Sequence, residues 1–190
     1  AIGVASSDPS LFELNGGALL VPSEAISNRA LTLGVGGGII QNNQKLTWNE
    51  PIVGGNLEKS GNGNLIFAGV NTFAKSTLKA GTLTLQNDAT NPGKTVVFEG
   101  GVLQCSDNSA MSSSNTMSWN MVVAEGQTGT INLDSRGAYT GTLSGSGSLV
   151  VNIPFVRSDL NGDWSAFSGA ITFNSTYSNS QGYSAELRLN

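Results

Sequence analysis

The 190-residue chain contains no histidine and only one cysteine, Cys105. Without histidine, the Ser-His-Asp and Cys-His forms of nucleophilic catalysis are excluded, and the most common zinc ligand is missing. A single cysteine cannot form an intramolecular disulfide, and its thiol lacks the base that usually activates it. Cys105 shares strand parity with Leu103, so we predict a small buried apolar side chain at this position.

Charge is also scarce, since charged residues make up 12% of the chain, with 13 acidic and nine basic side chains. The Lys and Arg residues are scattered, so the sequence predicts no nucleic-acid partner. No apolar run approaches the roughly 20 residues of a membrane-spanning helix, which predicts no membrane insertion by this part of the protein. Glycine is abundant, with 25 residues, and 38% of the chain is apolar, which is too much for a disordered linker.

The apolar residues occur in short β-type triplets, such as Leu65–Phe67 and Leu83–Leu85, and Gly- or Asn-rich turns separate them. None of these runs has helical spacing, so the pattern predicts an all-β fold of short strands. We expect residues 1–190 to form one right-handed parallel β-helix (a β-solenoid). It would have about eight coils, at roughly 20–25 residues per coil. A β-sandwich is the alternative.

The stretch from Leu57 to Leu85 combines an L-x-K-x-G-x-G-x-L-x-F-x-G-x-N-T-F pattern with a following A-G-T-L-x-L pattern. The matching residues are Leu57, Lys59, Gly61, Gly63, Leu65, Phe67, Gly69, Asn71, Thr72, Phe73, Ala80, Gly81, Thr82, Leu83 and Leu85. This order resembles the passenger-associated repeat of bacterial autotransporters and large secreted surface proteins. The resemblance implies a secreted or cell-surface β-solenoid whose motif residues shape turns and core rather than a catalytic site.

A second resemblance lies in the C-terminal half, where Asn161–Ile171 reads NGDWSAFSGAI. This run, with the strands before it, is similar to a module of secreted Bacteroidetes-type proteins. Residues 159–190 are predicted to form a C-terminal cap or a truncated coil, because the strand-like run Ala185–Leu189 reaches the last residues. We therefore expect the chain to be a section of a longer exported protein.

Two polar segments, 105–116 and 175–184, break the regular spacing and are predicted to be surface loops, where function concentrates in such folds. Aromatic side chains that stack on sugar rings are the candidate binding residues, with Asn and Ser supplying hydrogen bonds. The candidates are Tyr139, Trp164, Tyr177 and Tyr183. Trp164 has a second interpretation, which we favour, as a plug of the solenoid end. Trp48 and Trp119 share parity with apolar neighbours, so we predict that both lie in the core.

One short run has the oxygen pattern of a cation loop. Asp159, Asn161 and Asp163 alternate as oxygen-bearing residues, but the turn glycine comes too early for an EF-hand. Ala170 also stands where the closing Glu belongs. We interpret the run as an Asx-type turn, and we predict no metal and no other cofactor.

The alternative to a binding protein is a glycan-active enzyme. Parallel β-helices host polysaccharide lyases and hydrolases, in which carboxylates work beside Arg or Lys. The candidates would be Asp134 with Arg136, and Arg157 with Asp159 and Asp163. We favour a non-catalytic, adhesin-like module of a secreted or cell-surface bacterial protein, whose partner is a glycan or a cell-surface protein. The runner-up is a polysaccharide lyase or hydrolase, or its carbohydrate-binding module.

Overall fold

The computed structural model describes residues 3–85, 93–105, 116–133, 138–154, 157–175 and 185–189. These residues form 22 β-strands and a single 3₁₀ turn, Pro9–Leu11, without any α-helix. No helix among them is long and apolar enough to cross a bilayer.

The strands, numbered in chain order, form three sheets. The first sheet has ten strands: β1 (Glu13–Leu14), β2 (Gly17–Val21), β4 (Leu31–Leu33), β5 (Gly38–Asn42), β7 (Ile52–Ser60), β9 (Thr72–Leu78), β11 (Thr95–Phe98), β14 (Asn120–Val123), β17 (Leu143–Gly145) and β20 (Ala166–Phe167). The second has eight: β3 (Ala25–Ser27), β6 (Leu46–Trp48), β8 (Asn64–Phe67), β10 (Thr82–Leu85), β12 (Val102–Cys105), β15 (Thr128–Leu133), β18 (Ser148–Ile153) and β21 (Ala170–Ser175). The third has four: β13 (Thr116–Met117), β16 (Ala138–Tyr139), β19 (Arg157–Leu160) and β22 (Glu186–Leu189).

Every pairing between these strands is parallel. The chain is therefore a parallel β-solenoid, as the sequence predicted, and the β-sandwich alternative is wrong. It has about seven turns, slightly fewer than the roughly eight coils expected from a repeat of about 20–25 residues. Residues that stack in adjacent coils lie about 20 positions apart, as Asn132 and Asn152 do. Gln104 and Asn132 also stack, although they are 28 positions apart. The longer step includes the whole of the predicted polar segment 105–116, of which residues 106–115 lie outside the described residues.

Inward-pointing side chains of stacked strands form rows along the rod, and these rows fill the interior of the solenoid. In the second sheet, one row runs through Leu65, Leu83, Leu103 and Ile131, and each of these side chains is buried. Cys105 lies in the parallel row and is also buried, as predicted. Most inward residues are apolar, and removal of these rows from water stabilises the rod.

The corner after β7 explains why the repeat needs lysine and glycine. Lys59 occupies an interior row between Ile40 and Leu78, and its side chain is fully buried. Gly61 and Gly81 form this corner in successive coils, and both have positive φ, at 75° and 67°. A Cβ atom on Gly81 would lie 2.5 Å from the carbonyl oxygens of the coil below. Only glycine fits there, since both backbone conformation and space exclude a side chain.

The second half of the repeat is equally structural. Asn71 is buried, and its Oδ1 accepts from the backbone N–H of Ile52 in the preceding coil at 2.9 Å. Phe67 and Phe73 pack edge to face, with ring centroids 5.9 Å apart. The motif residues therefore shape turns and core.

Candidate functional site

Tyr139 was predicted to stack on a sugar ring, which requires an exposed side chain, but Tyr139 is not exposed. The side chain is fully buried in the row of Met117 and Leu160. Its hydroxyl donates to the carbonyl oxygen of Trp119 at 2.6 Å and lies 3.2 Å from that of Thr142. Burial raises the pKa of the phenol, so the hydroxyl stays protonated and acts as a donor inside the rod. A residue held in this way cannot stack on a sugar.

Tyr139 is the middle ring of an aromatic stack within the solenoid. Its centroid lies 6.3 Å from that of Trp119 and 6.2 Å from that of Trp164, and both contacts are edge to face. Trp119 and Trp48 are buried, as predicted. Trp164 is half-buried and packs against the core, which is the position that the plug interpretation requires. The other two candidates, Tyr177 and Tyr183, lie outside the described residues.

The sequence contained a signal that would have placed Tyr139 inside. Met117, Tyr139 and Leu160 follow one another at nearly the coil repeat, so they occupy equivalent positions in three coils. The residues around Tyr139 in the sequence are small or polar, and β16 is only two residues long. The local sequence therefore shows no apolar alternation that would mark Tyr139 as an inward residue. The coil repeat is a better guide to burial here than local composition.

Of the three oxygen-bearing residues of the cation pattern, Asp163 makes a local turn. Asp163 Oδ1 accepts from the backbone N–H of Ser165 at 2.9 Å, which is the Asx turn that the sequence predicted. Hydrogen bonds from Ser165 lower the pKa of the Asp163 carboxyl. Asp159 lies on β19, and Asn161 follows that strand as an exposed residue. In the described part of the chain, no three His, Cys, Asp or Glu side chains are grouped as a metal site.

Arg157 and Asp159 belong to a balanced group of four charges on β19 and β22. The Arg157 Nε atom lies 3.8 Å from Asp159 Oδ1. The register places Glu186 beside Arg157 and Arg188 beside Asp159. Alternating charges on neighbouring strands are typical of sheet stabilisation. The other proposed enzymatic pair, Asp134 with Arg136, lies outside the described residues.

Two further reactive groups are enclosed by the fold. The Lys59 Nζ atom donates to the carbonyl oxygens of Ser60, Gly61 and Ala80 at 2.9, 2.8 and 3.1 Å. Burial lowers the pKa of Lys59 to about 8. Burial also raises the pKa of the Cys105 thiol, which keeps it protonated and unreactive. Neither group is reachable by a macromolecular substrate.

The outward face of the second sheet carries a polar row that the sequence analysis missed. It consists of Gln104, Asn132, Asn152 and Asn174, which we call the amide row. Each Nδ2 group donates to the amide oxygen of the coil before it, at 2.8, 2.8 and 3.1 Å along the row. The only sequence signal was an amide residue at the equivalent outward position of four successive coils. The 28-residue step between the first two of these residues makes the repeat hard to recognise.

A second outward row runs beside the amide row. Its members alternate between hydroxyl and aliphatic side chains. They are Thr82, Val102, Thr130, Val150 and Thr172. The two rows form a face that carries amide and hydroxyl groups at strand spacing, about 4.8 Å. Such a face can make repeated hydrogen bonds to a polar partner but has no described group suited to acid–base chemistry.

Comparison of the chain with protein-family models, with curated proteins and with solved structures finds no match.

Proposed function

We propose that this chain is a non-catalytic, adhesin-like module of a secreted or cell-surface bacterial protein, and that the amide row is its contact surface for a glycan. The observation that carries the proposal is the ladder of amides on one outward face. The resemblance of Leu57–Leu85 to the passenger-associated repeat supports the bacterial, exported setting.

The ladder prepares these amides for binding. An Asn amide has two N–H donors and two acceptor lone pairs. In Asn132 and in Asn152, the ladder uses one donor and one acceptor. The remaining donor and acceptor of each amide are held in a fixed orientation, so a partner rich in hydroxyl groups loses little side-chain entropy on binding. This repeated donor–acceptor pattern suits the hydroxyl groups of an extended oligosaccharide.

The experiment is a glycan array probed with the wild-type chain and with an Asn132→Ala/Asn152→Ala variant. We expect the wild-type chain to bind one class of immobilised oligosaccharide. We expect the variant to bind the same class with an apparent affinity at least about tenfold lower. The matched control is Gln41→Ala/Asn43→Ala, which removes two exposed amide side chains elsewhere. The control should bind like the wild type.

If the Asn132→Ala/Asn152→Ala variant binds the array as strongly as the wild type, the amide row is rejected as the contact surface. The enzymatic alternative has a separate readout. Release of unsaturated oligosaccharides from acidic polysaccharides, measured by ultraviolet absorbance, would overturn the non-catalytic assignment.

A further inference from the structure

The C-terminal end of the rod leaves an interior row open. Among the described strands, β21 pairs with β18 alone, and all six of its residues are exposed. Ile171 and Phe173 are 36% and 44% exposed, although their partners in the coil below, Leu149 and Val151, are fully buried. The two side chains therefore occupy interior positions with apolar surface still in contact with solvent.

The N-terminal end of the rod contains an apolar groove of about 280 Å³ between β2 and β3. We call it the end groove. Its walls include Leu19, Val21 and Ala25, and Leu46 and Trp48 contribute further lining from β6, the strand that pairs with β3. Two exposed apolar side chains, Leu20 and Ile26, also line it, at 58% and 66% exposure.

The end groove also contains polar atoms that have no hydrogen-bond partner. Ser27 and Trp48 both line it, and they are only 6% and 1% exposed. The Ser27 Oγ and Trp48 Nε1 atoms are buried without a partner. Buried polar atoms are normally hydrogen-bonded, because leaving one unpaired costs about 1–3 kcal/mol. The groove therefore offers apolar surface to whatever covers it, and the two unpaired polar atoms lie buried beneath that surface.

The two ends match each other in strand direction and in side-chain size. All pairings are parallel, so a strand can extend the second sheet only if it runs in the same direction. This condition is met when the C-terminal end of one copy meets the N-terminal end of another. The inward residues of β3 are small, Ala25 and Ser27, whereas those of β21 are large, Ile171 and Phe173. Alternation of large and small side chains is how packed layers interdigitate.

We propose that copies of this chain associate head to tail, with β21 of one copy added as a parallel strand beside β3 of the next. Phe173 then enters the end groove, and Ile171 is covered by the same contact. An unpaired edge strand is a ready template for such pairing. Because the two surfaces differ, the contact is heterologous, and it generates linear rods rather than closed dimers.

The test is sedimentation equilibrium of the wild-type chain and of two variants that are each blocked at one end. The first variant is Ile171→Asp/Phe173→Asp, and the second is Leu20→Asp/Ile26→Asp. All four residues are exposed, so both variants should fold, and circular dichroism checks that they do. We expect the average mass of the wild type to rise by at least about twofold with concentration. Each variant alone should remain monomeric, whereas a mixture of the two should form one-to-one dimers and nothing larger.

A matched control is Val35→Asp/Val70→Asp, which places two charges at exposed apolar positions that belong neither to β3 or β21 nor to the end groove. It should assemble like the wild type. A wild type that stays monomeric at every concentration overturns the proposal. A mixture of the two end variants that stays monomeric overturns it as well. If one end variant dimerises alone, the contact is between like surfaces and the head-to-tail arrangement is rejected.

Discussion

The Lys59 ammonium crosses a coil boundary to donate to the carbonyl oxygen of Ala80, 21 positions later, at 3.1 Å. The same nitrogen donates to Ser60 and Gly61 in its own coil. One side chain thus joins two successive corners of the rod. The K-x-G-x-G and A-G-T-L parts of the repeat are therefore one structural unit, although some twenty residues separate them.

Replacing Lys59 by Ala should destabilise the chain substantially. The change leaves a cavity in the row of Ile40 and Leu78, and it removes the donor from three carbonyl oxygens. We expect the free energy of unfolding, measured by urea denaturation, to fall by about 2–4 kcal/mol. The control is Lys94→Ala at an exposed position, which should change it by less than about 0.5 kcal/mol. Equal losses in the two variants would refute the role of Lys59.

Lys59 should also give the stability a particular pH dependence. Burial lowers its pKa to about 8 in the folded chain, whereas the unfolded value is about 10.4. Between these two pKa values the unfolded state binds more protons than the folded state, so Lys59 makes the free energy of unfolding rise with pH. The cost of burying the charged ammonium is present in full at pH values below the folded pKa. We expect the wild type to gain up to about 3 kcal/mol relative to Lys59→Met as pH rises from about 7.5 to about 10.5.

Urea denaturation at several pH values measures this difference, and the Met variant cancels the contributions of other titrating groups. A difference between the two proteins that stays constant or falls across this range would contradict the prediction. The result would then mean that the three carbonyl oxygens compensate the ammonium fully.

Gly81 and Gly126 allow the crowding of a corner to be separated from its backbone conformation. Their φ values are nearly equal, at 67° and 72°. A Cβ atom on Gly81 would lie 2.5 Å from two carbonyl oxygens, whereas one on Gly126 would meet no atom within 4 Å. We expect Gly126→Ala to cost about 1–2 kcal/mol for conformation alone. Gly81→Ala should cost at least about 2 kcal/mol more in thermal or urea unfolding. Similar costs would mean that the corner can open.

Tyr139→Phe should weaken the fold without affecting ligand binding. The change removes the hydroxyl that donates to the Trp119 carbonyl oxygen, while the ring contacts to Trp119 and Trp164 remain. We expect a loss of about 1–2 kcal/mol in the free energy of unfolding. Retention on the glycan array should equal that of the wild type. Reduced retention at unchanged stability would restore Tyr139 as a binding residue.

The strands that sequence could predict were those made of alternating apolar residues. The predicted triplet Leu65–Phe67 lies within β8, and Leu83–Leu85 lies within β10. The strand β9 was not predicted, because Thr72–Leu78 contains Ala, Lys and Ser and lacks a β-type apolar run. It forms because β7 and β11 on either side supply partners, which is a tertiary effect that overrides local propensity.

The amide row was not predicted for a related reason. Asn132 and Asn152 look like ordinary turn-type residues in the sequence, and only the register of the coils shows that their amides stack. Local polarity likewise suggested that Tyr139 is exposed, but its position in the coil buries it. In a solenoid, the environment of a side chain is set by residues one coil away, so neighbours in sequence carry little of that information.

The step of 28 residues between Gln104 and Asn132 leaves their stacking intact, with an amide hydrogen bond of 2.8 Å. The longer step between these two residues therefore leaves the spacing of their coils unchanged. Height depends only on how many strands are stacked, at about 4.8 Å for each. Foreign peptides inserted between 105 and 116 should thus leave the Gln104–Asn132 hydrogen bond and the height of the rod unchanged, so the solenoid is suited to carrying a chosen sequence at this point of the chain.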